Sequence, residues 1–100
     1  MIWRRKSIDD MRREIEYFLS TANEWVQAAF YGDPDIEELT SKLYERWESA
    51  GRRGEPLDYA SYDEMKLIYE KAKRYSRLSV YEAMRLVMAR QESSEEEEED

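Results

Sequence analysis

The chain has 100 residues, no Cys, no His, 40% charged side chains and a formal net charge of −8. The missing thiols and imidazoles exclude a disulfide framework, a thiolate nucleophile, His-based triads and most zinc sites. One domain with one core is the most this length supports, and three Gly with two Pro are sparse for a β protein that needs tight turns, so the composition favours helices.

The start, Met1-Ile2-Trp3-Arg4-Arg5-Lys6, is positive but has no apolar stretch after it, so no signal peptide is expected. No apolar run approaches the roughly 18 residues that span a bilayer. The expectation is an intracellular protein, cytoplasmic or, in a eukaryote, nuclear. One Asn and two Gln among many Glu and Arg would also suit a thermophile.

The net charge hides a strong pattern. Residues 92–100 carry −7, so residues 1–91 hold 16 basic against 17 acidic groups. Residues 33–64 have ten acids against four bases, a net of −6, whereas residues 66–91 have seven bases against Glu70 and Glu82, a net of +5. The chain is acidic in the middle, basic in its last third before the tail, and acidic at its end.

Residues 1–6 form a basic arm in which Trp3 is a candidate partner contact, or simply the apolar end of a frayed terminus. Apolar residues then fall at Ile8, Met11, Ile15, Phe18, Ala22, Trp25 and Ala29, in alternating steps of three and four. This spacing predicts one long helix over 8–31, about 36 Å in length, with Ser7 as its N-cap. The stripe serves either as core of an antiparallel bundle or as a dimer seam.

Gly32 stops that helix as a C′ residue, and Asp33-Pro34 caps and opens the next. The second helix, about 34–50, turns Ile36, Leu39, Leu43, Trp47 and Ala50 to one side. Glu45 and Glu48 could share a cation, but no second acidic helix matches them, so a solvated face is expected. Gly51 to Ala60 reads as a loop. Its Gly51-Arg52-Arg53-Gly54 lacks both the Walker spacing and a preceding strand, and Leu57 and Tyr59 are expected to fold back on the core.

Ser61-Tyr62-Asp63-Glu64 is a capping box opening a third helix over 61–75, with Met65, Ile68, Tyr69, Ala72 and Tyr75 on one face. Ser79-Val80-Tyr81-Glu82 opens a fourth over 79–91, with Val80, Ala83, Met84, Val87 and Met88 on one face. Leu86 falls off that face and is a candidate partner contact. Residues 92–100 end in six consecutive acids, Glu95 to Asp100, which repel one another and are expected to be disordered.

The fold expected is all-α: a single small four-helix domain over 1–91 with one long N-terminal helix, and a disordered acidic C-terminal tail over 92–100. Its predicted core is Ile15, Phe18, Ala22, Trp25, Leu39, Leu43, Trp47, Met65, Ile68, Ala72, Met84 and Val87. On this scheme Trp25→Ala should cost roughly 3–5 kcal/mol.

No spacing argues for catalysis: the Ser and Tyr hydroxyls have no His to activate them, and no cofactor or metal is expected. Two readings of function stand. In the first, a non-enzymatic helical adaptor works through protein contacts or self-association, with Trp3, Leu86, Glu95, Glu96, Glu97, Glu98, Glu99 and Asp100 as partner contacts. In the second, a small DNA-binding regulator uses residues 65–90 as a helix-turn-helix-like pair. Lys71, Lys73, Arg74 and Arg77 would then meet phosphates, Tyr81, Glu82 and Arg85 would face bases, and the acidic tail would act as an autoinhibitor. Against it, the turn lacks Gly and is long for that motif.

Overall fold

A computed structural model of the chain describes residues 6–98, with side chains through Glu92. Trp3 and Asp100 lie outside the described residues, as do the side chains of Glu95 to Glu99. Among the described residues there are five α-helices, one 3₁₀ turn and no strand: α1 (Ile8–Thr21), α2 (Glu24–Tyr31), α3 (Pro34–Ser49), the turn (Pro56–Tyr59), α4 (Tyr62–Ser76) and α5 (Val80–Glu98). No helix among them is long and apolar enough to cross a membrane.

The predicted all-helical class holds, but the single long helix does not. The chain breaks at Ala22-Asn23 into α1 and α2. The cause is local chemistry. The Thr21 hydroxyl bonds back to the Tyr17 carbonyl at 2.8 Å, and the Asn23 side chain accepts the Val26 amide at 3.0 Å as a new N-cap. Gln27 Nε2 then bridges the carbonyls of Leu19 and Ala22, at 2.9 and 3.0 Å, which satisfies the end of α1. A stripe interrupted in this way cannot serve as a continuous 36 Å coiled-coil seam.

The break also re-aims the side chains that follow. Val26, Ala29 and Phe30 turn inward and are buried, whereas Trp25, expected in the core, is 37% exposed. Phe18 and Ala22 are only partly buried against the same cluster. The remaining core is Met11 and Ile15 of α1, Ile36, Leu39 and Leu43 of α3, Met65, Ile68, Ala72 and Tyr75 of α4, and Ala83 of α5. Each set follows the helical period, so each helix buries one stripe.

The predicted corners are present. Asp33 caps α3 with Pro34 in its first turn, and Ser61 and Glu64 form the capping box of α4. Ser79 Oγ accepts the Glu82 amide while Glu82 accepts the Ser79 amide, both at 3.1 Å. Gly32 differs from the expected left-handed C′ residue, since its φ is −89°. Its role is space: a Cβ there would sit 3.1 Å from the Ala28 carbonyl oxygen and 3.5 Å from the Arg90 guanidinium. The loop after α3 does need glycine, with Gly51 and Gly54 at φ +81° and +69°.

α5 is rotated from the face expected of it. Ala83 is fully buried, with Leu86 and Val87 packed against the core, whereas Val80 and Met88 are 52% and 48% exposed. The helix also continues to Glu98, past the boundary at 91, so residues 92–98 are helical where disorder was expected. Helix α1 packs closely on α4 and α2 on α5, while α3 is held mainly by the 3₁₀ turn and stands further off its other neighbours.

Candidate interaction site

Because α3 stands off, an apolar groove of about 310 Å³ remains between it and α1–α2. Its floor is Ile15, Phe30, Ile36, Leu43 and Ile68, all buried. Its mouth includes Leu19, Leu57 and two tyrosines, Tyr31 and Tyr44, which are 57% and 49% exposed. The volume lies at the lower end of ligand-pocket sizes, and the lining is apolar apart from Thr40, Glu55 and the tyrosine hydroxyls. Exposed tyrosines beside a dry floor are a common feature of surfaces that take a partner.

Charges surround this mouth. Glu55 lines it, and Arg12 is held by both Glu55 and Asp58 while Glu16 lies 4.0 Å from the same guanidinium. Arg12 is thereby held strongly protonated, chiefly by the bond it donates to Asp58, against the cost of burial. Glu37 and Glu48 stand on α3, three residues before Thr40 and four after Tyr44, and both are exposed. Arg52 lies 3.8 Å from Glu48. The charged group beside Glu55, which is Arg12 with Glu16, Glu55 and Asp58, carries a net of −2.

A second cluster lies where α2, α3, α4 and α5 meet. Asp33, 4% exposed, accepts the amides of Asp35 and Ile36 with one oxygen, at 2.8 and 3.3 Å. Its other oxygen accepts Lys71 Nζ at 3.0 Å and the Tyr75 hydroxyl at 2.6 Å. Arg90 donates to the Tyr75 oxygen and to the Ala29 carbonyl, each at 2.6 Å. Burial alone would raise the Asp33 pKa, but Tyr75, Lys71 and the two amides together hold it below the usual carboxylate range. Burial and the bond to Asp33 push the Tyr75 phenol up, and the bond to Asp33 does the same for the Lys71 ammonium. No buried side-chain polar atom among the described residues lacks a partner. The cluster is a structural junction that ties α2, α3, α4 and α5 together.

This junction changes the candidate nucleic-acid contacts. Lys71, expected at a phosphate, is engaged with Asp33 and with Asp35 at 3.2 Å. With Lys71 and Arg90 both engaged inside, the +5 of residues 66–91 falls to +3 for the groups that remain outside. Lys73 lies over the Tyr69 ring at 5.7 Å, and Arg74 and Arg77 are exposed at the end of α4. Tyr81 is 62% exposed with Arg85 stacked 5.7 Å over its ring. By the helical period Tyr81, Arg85 and Met88 point directly away from the buried Ala83–Val87 side. Leu86 lies against the core, so it is a packing residue in this fold, and only its partly exposed edge could meet a partner.

The groove was missed in the sequence because its lining comes from five separate elements. The junction was missed because Asp33 reads as an ordinary cap, with nothing local to reveal Lys71, Tyr75 and Arg90. Among the described residues no cluster of acidic side chains is arranged to hold a metal. Comparison with protein-family models, with curated proteins and with solved structures finds no match.

Proposed function

We propose that the protein is a non-enzymatic helical adaptor that seats an apolar helical segment of a partner in the groove between α1–α2 and α3, with the acidic tail as a second, charged contact. The observation carrying this reading is the groove itself: a buried apolar floor open to solvent between Tyr31 and Tyr44. A helix presenting apolar anchors at i and i+4 or i+7 would find a floor of matching chemistry. The test is a titration of the full chain with a synthetic Leu/Lys amphipathic helix peptide, followed by NMR. Saturable shifts at Leu19, Tyr31 and Tyr44, lost in Thr40→Arg, are expected. Shifts elsewhere, or none, would sink the reading.

A second reading is a small DNA-binding regulator. Tyr81 and Arg85 pointing outward near the start of α5, beside exposed Arg74 and Arg77, favour it. The surface charge reduced to +3 and the acidic second half of α5 weigh against it. Fluorescence anisotropy with duplex DNA, comparing full length with a chain cut after Gln91, separates the two. Binding by the cut chain with a steep salt slope would favour DNA, and no binding at low salt would end that reading.

A further inference from the structure

The face of α5 that points away from the core carries a pattern that is its own complement. Tyr81, Arg85, Met88 and Glu92 recur at steps of four, three and four, so they form one stripe, and all four are exposed. Met88, 48% exposed, divides that stripe. Arg85 stands three residues before it and Glu92 four residues after it, about 4.5 and 6 Å along the axis. Arg77 extends the basic side into the turn before α5, and the helix runs on to Glu98 through four further acids at 95–98. Glu82 before Met88 and Arg90 after it run against this order, but both are occupied within the chain. Glu82 accepts the Ser79 amide at 3.1 Å, and Arg90 donates to the Ala29 carbonyl and the Tyr75 hydroxyl at 2.6 Å each.

We infer that α5 is a homodimer contact: the outward stripes of two copies pack antiparallel, with Met88 against Met88 of the second copy on the two-fold axis. Arg85 of each copy then lies level with Glu92 of the other, to within about 1.5 Å along the axis, and the pair forms twice. Tyr81 and Met88 supply the apolar surface that the contact covers. A parallel pair would set Arg85 against Arg85 and Glu92 against Glu92, so the charges select the antiparallel arrangement. The occupant is a second copy because the surface required opposite Arg85, Met88 and Glu92 is the same three residues read in reverse. Such a contact is isologous and closes at two copies. One helix face per copy is a small interface, so dimerisation is weak, grows with concentration and is sensitive to salt. No residue of α5 lines the groove, so the dimer is independent of the groove reading.

Sedimentation equilibrium of the full chain at low salt, from about 10 µM to about 1 mM, tests this. The weight-average mass should rise from 12.1 kDa towards twice that value and level off there, and added salt should lower it. Arg85→Glu and Glu92→Arg each place like charges at both pairs, and each should raise the dimer Kd by about tenfold or more. An equimolar mixture of the two variants should dimerise again, because every pair in the mixed dimer is one acid and one base. The double exchange, Arg85→Glu with Glu92→Arg in one chain, should restore the dimer for the same reason. Both sites are exposed, and circular dichroism checks that every variant stays folded. A wild-type chain that stays monomeric throughout overturns the inference, and so does a mass that climbs past the dimer. Single variants that dimerise like the wild type also overturn it, because they would place the contact elsewhere. Folded variants that dimerise neither in mixture nor as the double exchange overturn it too, since the antiparallel register requires both to recover.

Discussion

The Tyr75 hydroxyl donates to Asp33 Oδ2 across 2.6 Å, joining the corner between α2 and α3 to the middle of the fold. These residues are 42 apart in sequence, and both are buried. Asp33 therefore has two tasks, capping α3 with one oxygen and anchoring α4 with the other. Asp33→Asn keeps the shape but removes the charge that Lys71 faces, and should cost about 2–3 kcal/mol. Tyr75→Phe leaves Arg90 with one fewer acceptor and should cost about 1–2 kcal/mol. Urea denaturation reads both. A neutral Asp33→Asn would mean that the junction contributes nothing to stability.

The same groups set the pH range of stability. Asp33 and Glu64 both titrate below their ordinary values in the folded state. Glu64 is brought down to about 2 by its paired bonds from Arg46 and by the Ser61 amide. Their contribution is complete above about pH 4.5 and is lost as pH falls through the folded pKa values. Lys71 and Tyr75 titrate above their ordinary values, so their contribution is complete below about pH 10 and is lost as pH rises further. The midpoint of thermal unfolding should thus be flat between about pH 5 and 9 and fall on both sides. A chain most stable near pH 3 would contradict this account.

The bend at Ala22-Asn23 reverses the roles of two aromatics. Phe30 is 2% exposed and Trp25 37% exposed. Phe30→Ala should cost about 3–5 kcal/mol, and Trp25→Ala no more than about 1–2 kcal/mol. The opposite ranking in chemical denaturation would restore the unbroken first helix.

Asn23 holds that bend through its bond to the Val26 amide. Asn23→Ala should therefore destabilise by about 1 kcal/mol, even though Ala is the better helix former. A stabilised Asn23→Ala chain would show that the bend is imposed from outside rather than capped locally.

The two readings of the basic segment differ at Lys71. If residues 65–90 bind DNA, removing the charges of Lys73, Arg74 and Arg77 should flatten the salt dependence of binding. Lys71→Ala should instead lower the unfolding midpoint, because its ammonium is engaged with Asp33 and Asp35. An equal effect of all four on the salt slope would mean that Lys71 leaves the junction when DNA binds.

Ser7, Asp33-Pro34, Ser61-Glu64 and Ser79-Glu82 marked their helix starts correctly, because a cap bonds within three residues and needs nothing distant. The break at Asn23 was also written locally, in Ser20-Thr21-Ala22-Asn23. The three-four spacing runs through it without a fault, and the stripe outweighed the cap. For α5 the spacing allowed several faces, and only packing against α2 selected Ala83, Leu86 and Val87 over Val80 and Met88.

Helical class, most boundaries and the segregation of charge were therefore determined by the amino-acid sequence alone. Each depends on interactions within a turn or two, or on composition. The tertiary structure decided which cations stay outside, which face of α5 is free and where the groove opens. Those outcomes depend on contacts between residues tens of positions apart, such as Asp33 with Tyr75 and Ala29 with Arg90, whose pairing no local spacing encodes.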